Sequence, residues 1–251
     1  MAIKGTDVAR ESSDMILTDD NFASIVSAVK EGRVIYDNIK KFVKFLLSVN
    51  FSEVGLILFS ILAGIPLPLL PLQILWINLV TDSLPALALS VDTPYPKVME
   101  RKPRNPKDSI LKGSVWFLII AGFLAFLTSL IAFFIGMPFD LANSVDLLDF
   151  SSPSKARTMA LTTAILFEML FVFSCRTDKQ SVFKIGIFSN KWLVGAVSIS
   201  IILQIIAVHT PLNIAFKLVP LGLMDWVKVT ALASLGFIAF EIKKLITYKA
   251  R

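Results

Sequence analysis

The chain has 251 residues, of which 55% are apolar, 20 are Phe and only 18% are charged. That composition excludes a water-soluble domain of this size and places the chain in a bilayer. The net charge of +6 does not point to nucleic acid, because the basic residues lie in separate clusters that alternate with apolar runs. Cys175 is the single cysteine, so no internal disulfide forms and the redox compartment stays open. The first 20 residues are polar and lack the apolar centre of a cleavable leader, so the internal helices are expected to drive insertion.

In chain order, Asp14 to Leu17 reads as a short apolar run that fits a buried strand. Thr18, Asp19, Asp20 and Asn21 follow, each able to cap a helix. Ile25, Val26 and Val29 recur at helical spacing up to Gly32. A second helix is expected from Arg33, because Ile35, Ile39, Phe42, Leu46 and Val49 keep the helical period into the first apolar span. Running to Ala63, it would be roughly 46 Å long and would project beyond the hydrocarbon core as a stalk.

Apolar runs of spanning length lie at 42–64, 69–91, 112–136, 157–175, 192–209 and 224–246. The linkers at 65–68 and 210–223 carry Pro66, Pro68, Pro211 and Pro220 and read as turns. Lys and Arg concentrate before and at the start of the first span, in linkers 92–112 and 176–191, and at the end of the last span and its tail; the other four are Lys155, Arg157, Lys217 and Lys228. Both termini are therefore expected to be cytoplasmic, which six spans permit. The fold class is an all-α polytopic membrane protein: a six-helix bundle with a short cytoplasmic amino-terminal segment and a helical stalk. Gly113, Gly122, Gly136, Gly195 and Gly236 are expected to permit close helix packing. Trp76, Trp116, Trp192 and Trp226 fit an interfacial belt. Asp140, Asp146 and Asp149 are expected in a solvated outer loop, and His209 in a structural interfacial position.

The informative residues are polar ones at membrane depth. Asn50 and Glu53 stand three apart in the first span, on one helical face. Asn78, Thr81 and Asp82 form a stripe on the second, and Glu168 sits mid-way along the fourth with no basic neighbour. Ionised carboxylates in hydrocarbon cost several kcal/mol each unless paired or ion-bound. Three of them call for a cation. Pro85 has no N–H to offer the Thr81 carbonyl and its ring crowds it, so the helix is expected to loosen over Thr81–Pro85 and free backbone oxygen beside Asp82. The side chains are all oxygen donors, in numbers that suit the roughly six to eight ligands of calcium. Calcium is therefore the first choice of ion, with sodium, potassium, manganese and protons as alternatives, while a lone His and no thiolate cluster disfavour copper and zinc.

The stretch Gly5-Thr6-Asp7-Val8-Ala9, then Asp14 to Phe22, then Glu31-Gly32-Arg33, resembles the end of the phosphorylation domain of P-type cation-transporting ATPases. Asn50-Phe-Ser-Glu53 and Leu75-Trp-Ile-Asn78-Leu-Val-Thr81-Asp82-Ser-Leu-Pro85 are similar to the fifth and sixth transmembrane helices of the calcium pumps in that family. Met99 to Arg104 fits the family pattern in the next linker. The resemblance implies that residues 1–41 close the phosphorylation domain and begin the stalk, that 42–251 form the membrane domain, and that Asn50, Glu53, Asn78, Thr81, Asp82 and Glu168 ligate the transported ion. Asn78 points to a calcium-type member, whereas Arg176-Thr177 and Ser181-Val182-Phe183 look more like the sodium-potassium branch.

The family's phosphorylated Asp-Lys-Thr-Gly-Thr motif, its nucleotide-binding domain and its first four membrane helices have no counterpart in the sequence. No catalytic or nucleotide-binding residue is therefore assigned, and the chain is not expected to hydrolyse ATP by itself. ATP and Mg2+ belong to the complete pump. The expected partners are the bilayer (the plasma membrane in a prokaryote), the cation and the missing amino-terminal part of the pump. A regulatory or assembly subunit, or a stand-alone channel or carrier, is the alternative.

Overall fold

The computed structural model describes residues 2–94, 98–105, 107–152, 154–177 and 180–249. Six of its helices are long and apolar enough to cross a membrane: α1 (Phe22–Ala63), α2 (Pro71–Ser90), α3 (Val115–Ala142), α4 (Lys155–Cys175), α5 (Lys191–His209) and α6 (Leu223–Lys249). Six crossings return the chain to the side on which it began.

The helix ends follow local chemistry. Asn21 opens α1 by accepting a hydrogen bond from the Ala23 N–H. Gly64 closes it in the left-handed conformation (φ +65°), which lets the Ile65 N–H reach back to the Ser60 carbonyl. Asn190 opens α5 through the Leu193 N–H, and Ser154 opens α4 through the Arg157 N–H. Between these caps α1 is one unbroken helix, not two meeting at Gly32. A helix-interior glycine costs only about 1 kcal/mol, too little to stop a helix that continues on both sides. At 42 residues α1 is about 63 Å long, longer than the sequence pattern implied.

The Asp14–Leu17 run forms no strand: no partner strand exists among the described residues, and Met15 and Ile16 are exposed. The third span runs on through Pro138 to Ala142. Asp140 is thereby a buried helical residue and not part of a solvated loop. Its carboxylate accepts hydrogen bonds from the Ser154 hydroxyl and the Lys155 and Ala156 N–H groups, each at 2.8 Å, and so caps α4.

Every residue of α4 from Ala156 to Cys175 except Leu170 is buried. A helix apolar on all sides belongs at the centre of a bundle, and α1, α3, α5 and α6 pack around it. Phe171 on α4 stacks with Phe117 of α3 and makes tilted ring contacts with Phe45 of α1, Phe240 of α6 and its own neighbour Phe167. At the α4 start the buried Arg157 guanidinium donates to the carbonyls of Leu67, Asp149, Ser152 and Leu147, fastening two loops to the central helix. Three glycines serve close packing as expected: Gly122 against α1, Gly136 against α4 and Gly236 against Phe167. Gly113 and Gly195 do not, since neither has an atom within 4 Å of where a Cβ would sit.

Candidate functional site

On α1, Glu53 is buried and accepts a 2.7 Å hydrogen bond from the Asn78 amide of α2. That amide also donates to the Ile74 carbonyl one turn earlier. The Asn50 amide donates to the Leu46 carbonyl. Asn50 and Asn78 together line a groove of about 450 Å³ that runs between α1 and α2 toward Ser90.

The second helix is irregular, but one turn earlier than the expected Thr81–Pro85 stretch and in a different form. Residues Ile77–Thr81 form a π-helical turn, in which the Asp82 N–H reaches five residues back to the Ile77 carbonyl. A regular helix then resumes at Ser83 and passes through Pro85. The widened turn lies immediately before Asp82, as π-turns inserted in helices commonly do at functional positions. The Thr81 carbonyl, denied a donor by Pro85, is not free. The buried Ser200 hydroxyl of α5 donates to it at 3.3 Å. The Thr81 hydroxyl donates to the Ile77 carbonyl, which leaves its lone pairs available.

Asp82 and Glu168 are both fully buried and close enough for each carboxyl group to act on the other. Glu53 is close enough for its charge to act on both. Among the described residues, Glu53 Oε1, both Asp82 oxygens and both Glu168 oxygens have no donor. The other buried acids in the same bundle are satisfied. Glu241 has Lys244, the Ser174 hydroxyl and the Val182 N–H, and Asp225 has Lys155 and the Gly222 N–H. Asp140 has its three donors, and Asp92 has Lys41 and Arg176. Buried polar atoms are almost always partnered, so five orphaned oxygens on three helices make this the candidate place for a positive guest. The donor set is hard oxygen, suited to an alkali or alkaline-earth ion. Among the described residues no three acidic, His or Cys side chains already stand in metal-ligand geometry; Glu53, with one oxygen held by Asn78, is a neighbour of the Asp82–Glu168 pair and not part of a finished cage.

Sequence reasoning found the span of α5 but missed its buried polar face. Gln204 is fully buried, accepts from the Trp76 indole N–H at 3.1 Å and donates to the Thr162 hydroxyl at 3.1 Å, bridging α2 and α4. Trp76 is thus tied inward and is not a simple belt residue. The signal was present: Ser200 and Gln204 stand four apart on one face of an apolar helix. Removing the Ser200 hydroxyl should orphan the Thr81 carbonyl and cost about 1–3 kcal/mol. Ser200→Ala is expected to lower the thermal midpoint, and Pro85→Ala, which restores an N–H for that carbonyl, to offset part of the loss in the double variant. Strict additivity of the two changes would argue against this account.

The family model described as the carboxyl-terminal part of cation-transporting ATPases matches residues 66–246. The chain belongs to the cation-transporting ATPase family. It corresponds to the carboxyl-terminal part of such a pump, as the similar curated proteins also indicate. It is 43% identical to calcium-transporting ATPase 1 of Bacillus cereus, over 98% of this chain and 28% of that protein. It is 42% identical to the calcium-transporting ATPase of Bacillus subtilis, over 94% of this chain and 26% of that protein. With calcium-transporting ATPase 1 of Lactococcus lactis the identity is 38%, over 96% of this chain and 26% of the relative. The cation-transporting ATPase chain described here thus spans between 26% and 28% of the length of these relatives.

Proposed function

We propose that this chain is the cation-binding membrane part of an ATP-driven P-type pump whose cargo is calcium. The observation that carries the reading is the set of five donorless carboxylate oxygens on Glu53, Asp82 and Glu168, contributed by α1, α2 and α4. Asn50, Asn78 and Thr81 flank them and complete a six-residue candidate ligand set. The printed names of the similar proteins favour calcium among the hard cations. Residues 1–41 are assigned to the end of the phosphorylation domain and the start of the stalk, and 42–251 to the membrane domain, with both termini cytoplasmic. ATP hydrolysis, with its Mg2+, falls to the rest of the pump. The long α1 is the element suited to carry movement from that part to Glu53, being one uninterrupted helix from Phe22 to Ala63.

The test is calcium binding to the purified chain in lipid nanodiscs, with manganese, sodium and potassium as competitors and Glu168→Gln as the variant. Saturable calcium binding is expected, weakened at least about tenfold by the substitution, a change of about 1.4 kcal/mol. No calcium binding, or equal binding by the variant, would overturn the reading.

A further inference from the structure

The three helices that carry the orphaned carboxylates are joined a second time, nearer the side of the bundle on which the chain begins and ends. Asp92, two residues beyond α2 and only 4% exposed, stands at that junction. Its carboxylate accepts hydrogen bonds from Lys41 Nζ of α1 at 2.9 Å, from Arg176 Nη2 at the end of α4 at 3.0 Å, and from Asn190 Nδ2 at the cap of α5 at 2.9 Å. The backbone is fastened too. The Asn38 amide donates to the carbonyls of Asp92 (2.9 Å) and Ser90 (3.2 Å), and the Asn190 amide to that of Ala88 (3.0 Å). Lys41 also donates to the side-chain amide oxygen of Asn38. All five side chains are buried. Burial pushes the Asp92 carboxyl up, but hydrogen bonds from Arg176 and the charge and hydrogen bond of Lys41 outweigh it and hold it below the ordinary carboxylate range.

Each charged member of this junction lies on, or directly beyond, a helix that bears one of the orphaned acids. Lys41 precedes Glu53 by 12 residues, Asp92 follows Asp82 by 10 and Arg176 follows Glu168 by 8. At the helical rise these separations are about 12–18 Å. A buried ion pair is a poor source of net stability, because desolvation offsets most of the attraction; its attested use is to fix register. Here the register fixed is the axial alignment of α1, α2 and α4, on which the meeting of Glu53, Asp82 and Glu168 depends.

We infer that Asp92 is a positioning residue for the cation site, a clamp that sets the mutual register of the three carboxylate-bearing helices without touching the ion. The inference rests on the cation site proposed above.

The test uses the full chain in nanodiscs and compares Asp92→Asn, Asp92→Glu and Asn190→Ser by calcium affinity, helix content and thermal midpoint. Asn190→Ser keeps a helix-capping oxygen but removes the amide that reaches Asp92 and Ala88. Asp92→Asn is expected to keep its helix content and bind calcium about tenfold more weakly, a loss of about 1.4 kcal/mol. Asp92→Glu, which keeps the charge, should stay within about threefold of the unsubstituted chain, and Asn190→Ser should weaken binding about threefold. A merely structural Asp92 would lower the midpoint and leave the affinity of the folded protein unchanged; that result overturns the inference, as does an Asp92→Glu affinity as weak as that of Asp92→Asn. Should Asp92→Asn not fold, an unchanged affinity in Asn190→Ser overturns it instead. Loss of binding in Glu168→Gln combined with full binding in the Asp92 and Asn190 variants would remove the clamp and leave the cation site standing. Absence of calcium binding in the unsubstituted chain would remove both.

Discussion

Asp82→Asn is expected to raise the thermal midpoint of the chain measured without calcium and, in the same protein, to abolish the further rise that calcium produces. The two effects have one cause. Both Asp82 oxygens are fully buried acceptors facing a second acceptor, Glu168, with no donor for either group among the described residues. An arrangement of that kind is a standing cost to the fold in the absence of a cation. An asparagine amide brings two N–H donors to the same place and turns acceptor against acceptor into donor against acceptor. A buried acceptor left without a donor costs about 1–3 kcal/mol, and the substitution recovers that penalty. The calcium-dependent increment in the unsubstituted chain should be about 2.7 kcal/mol at a calcium concentration 100 times the dissociation constant. It should vanish in the variant, which has lost the charge that binds. Unfolding followed by circular dichroism in nanodiscs, with calcium or with a chelator, reads both quantities. A variant less stable than the parent under chelator would show that Asp82 is a structural acid with partners of its own, and the cation site would lose its principal ligand.

The sequence carried the six spans because an apolar run of spanning length is a one-dimensional signal, and each observed helix overlaps its expected run. Which face of a helix is buried depends on neighbours, and there the reading fell short. Glu53, Asn78, Asp82 and Glu168 could be chosen because charged or amide groups at membrane depth are costly wherever they point. Ser200 could not, because a serine in an apolar helix usually bonds its own backbone; its hydrogen bond to the Thr81 carbonyl exists only because Pro85 leaves that carbonyl without a donor. Asp92 lies just beyond a span, where a solvated acid is the ordinary expectation. Only the packing of the middle of α1 against the end of α4 and the start of α5 buries it beside Lys41, Arg176 and Asn190. Asp140 escaped for a similar reason. The expected third span stops at residue 136, yet α3 continues through Pro138 to Ala142, which brings the Asp140 carboxylate to the start of α4.

Two chemically identical substitutions, Gly136→Ala and Gly195→Ala, should have opposite effects on stability. A Cβ at Gly136 would lie 2.6 Å from the Ala156 Cα and 2.9 Å from its nitrogen. Those are backbone atoms of the first turn of α4, and no rotamer change can move them. The only relief is separation of α3 from α4, which overpacked interfaces achieve at about 1–3 kcal/mol. The expected loss lies at the upper end of that range, because Asp140, one turn further along α3, holds the Ser154, Lys155 and Ala156 donors only while the helices stay in contact. A Cβ at Gly195 meets nothing within 4 Å, so that substitution should stabilise α5 by about 0.5–1 kcal/mol through helix propensity alone. Thermal unfolding of both variants beside the parent checks the pair, and a Gly136→Ala protein as stable as the parent would show that the α3–α4 contact is looser than described. The same displacement should reach the carboxylates. Glu168 lies 12 residues along α4 from Ala156, on a central helix buried on nearly every side, so a shift forced at its first turn is borne by the whole helix. Calcium affinity should therefore fall in Gly136→Ala and stay unchanged in Gly195→Ala.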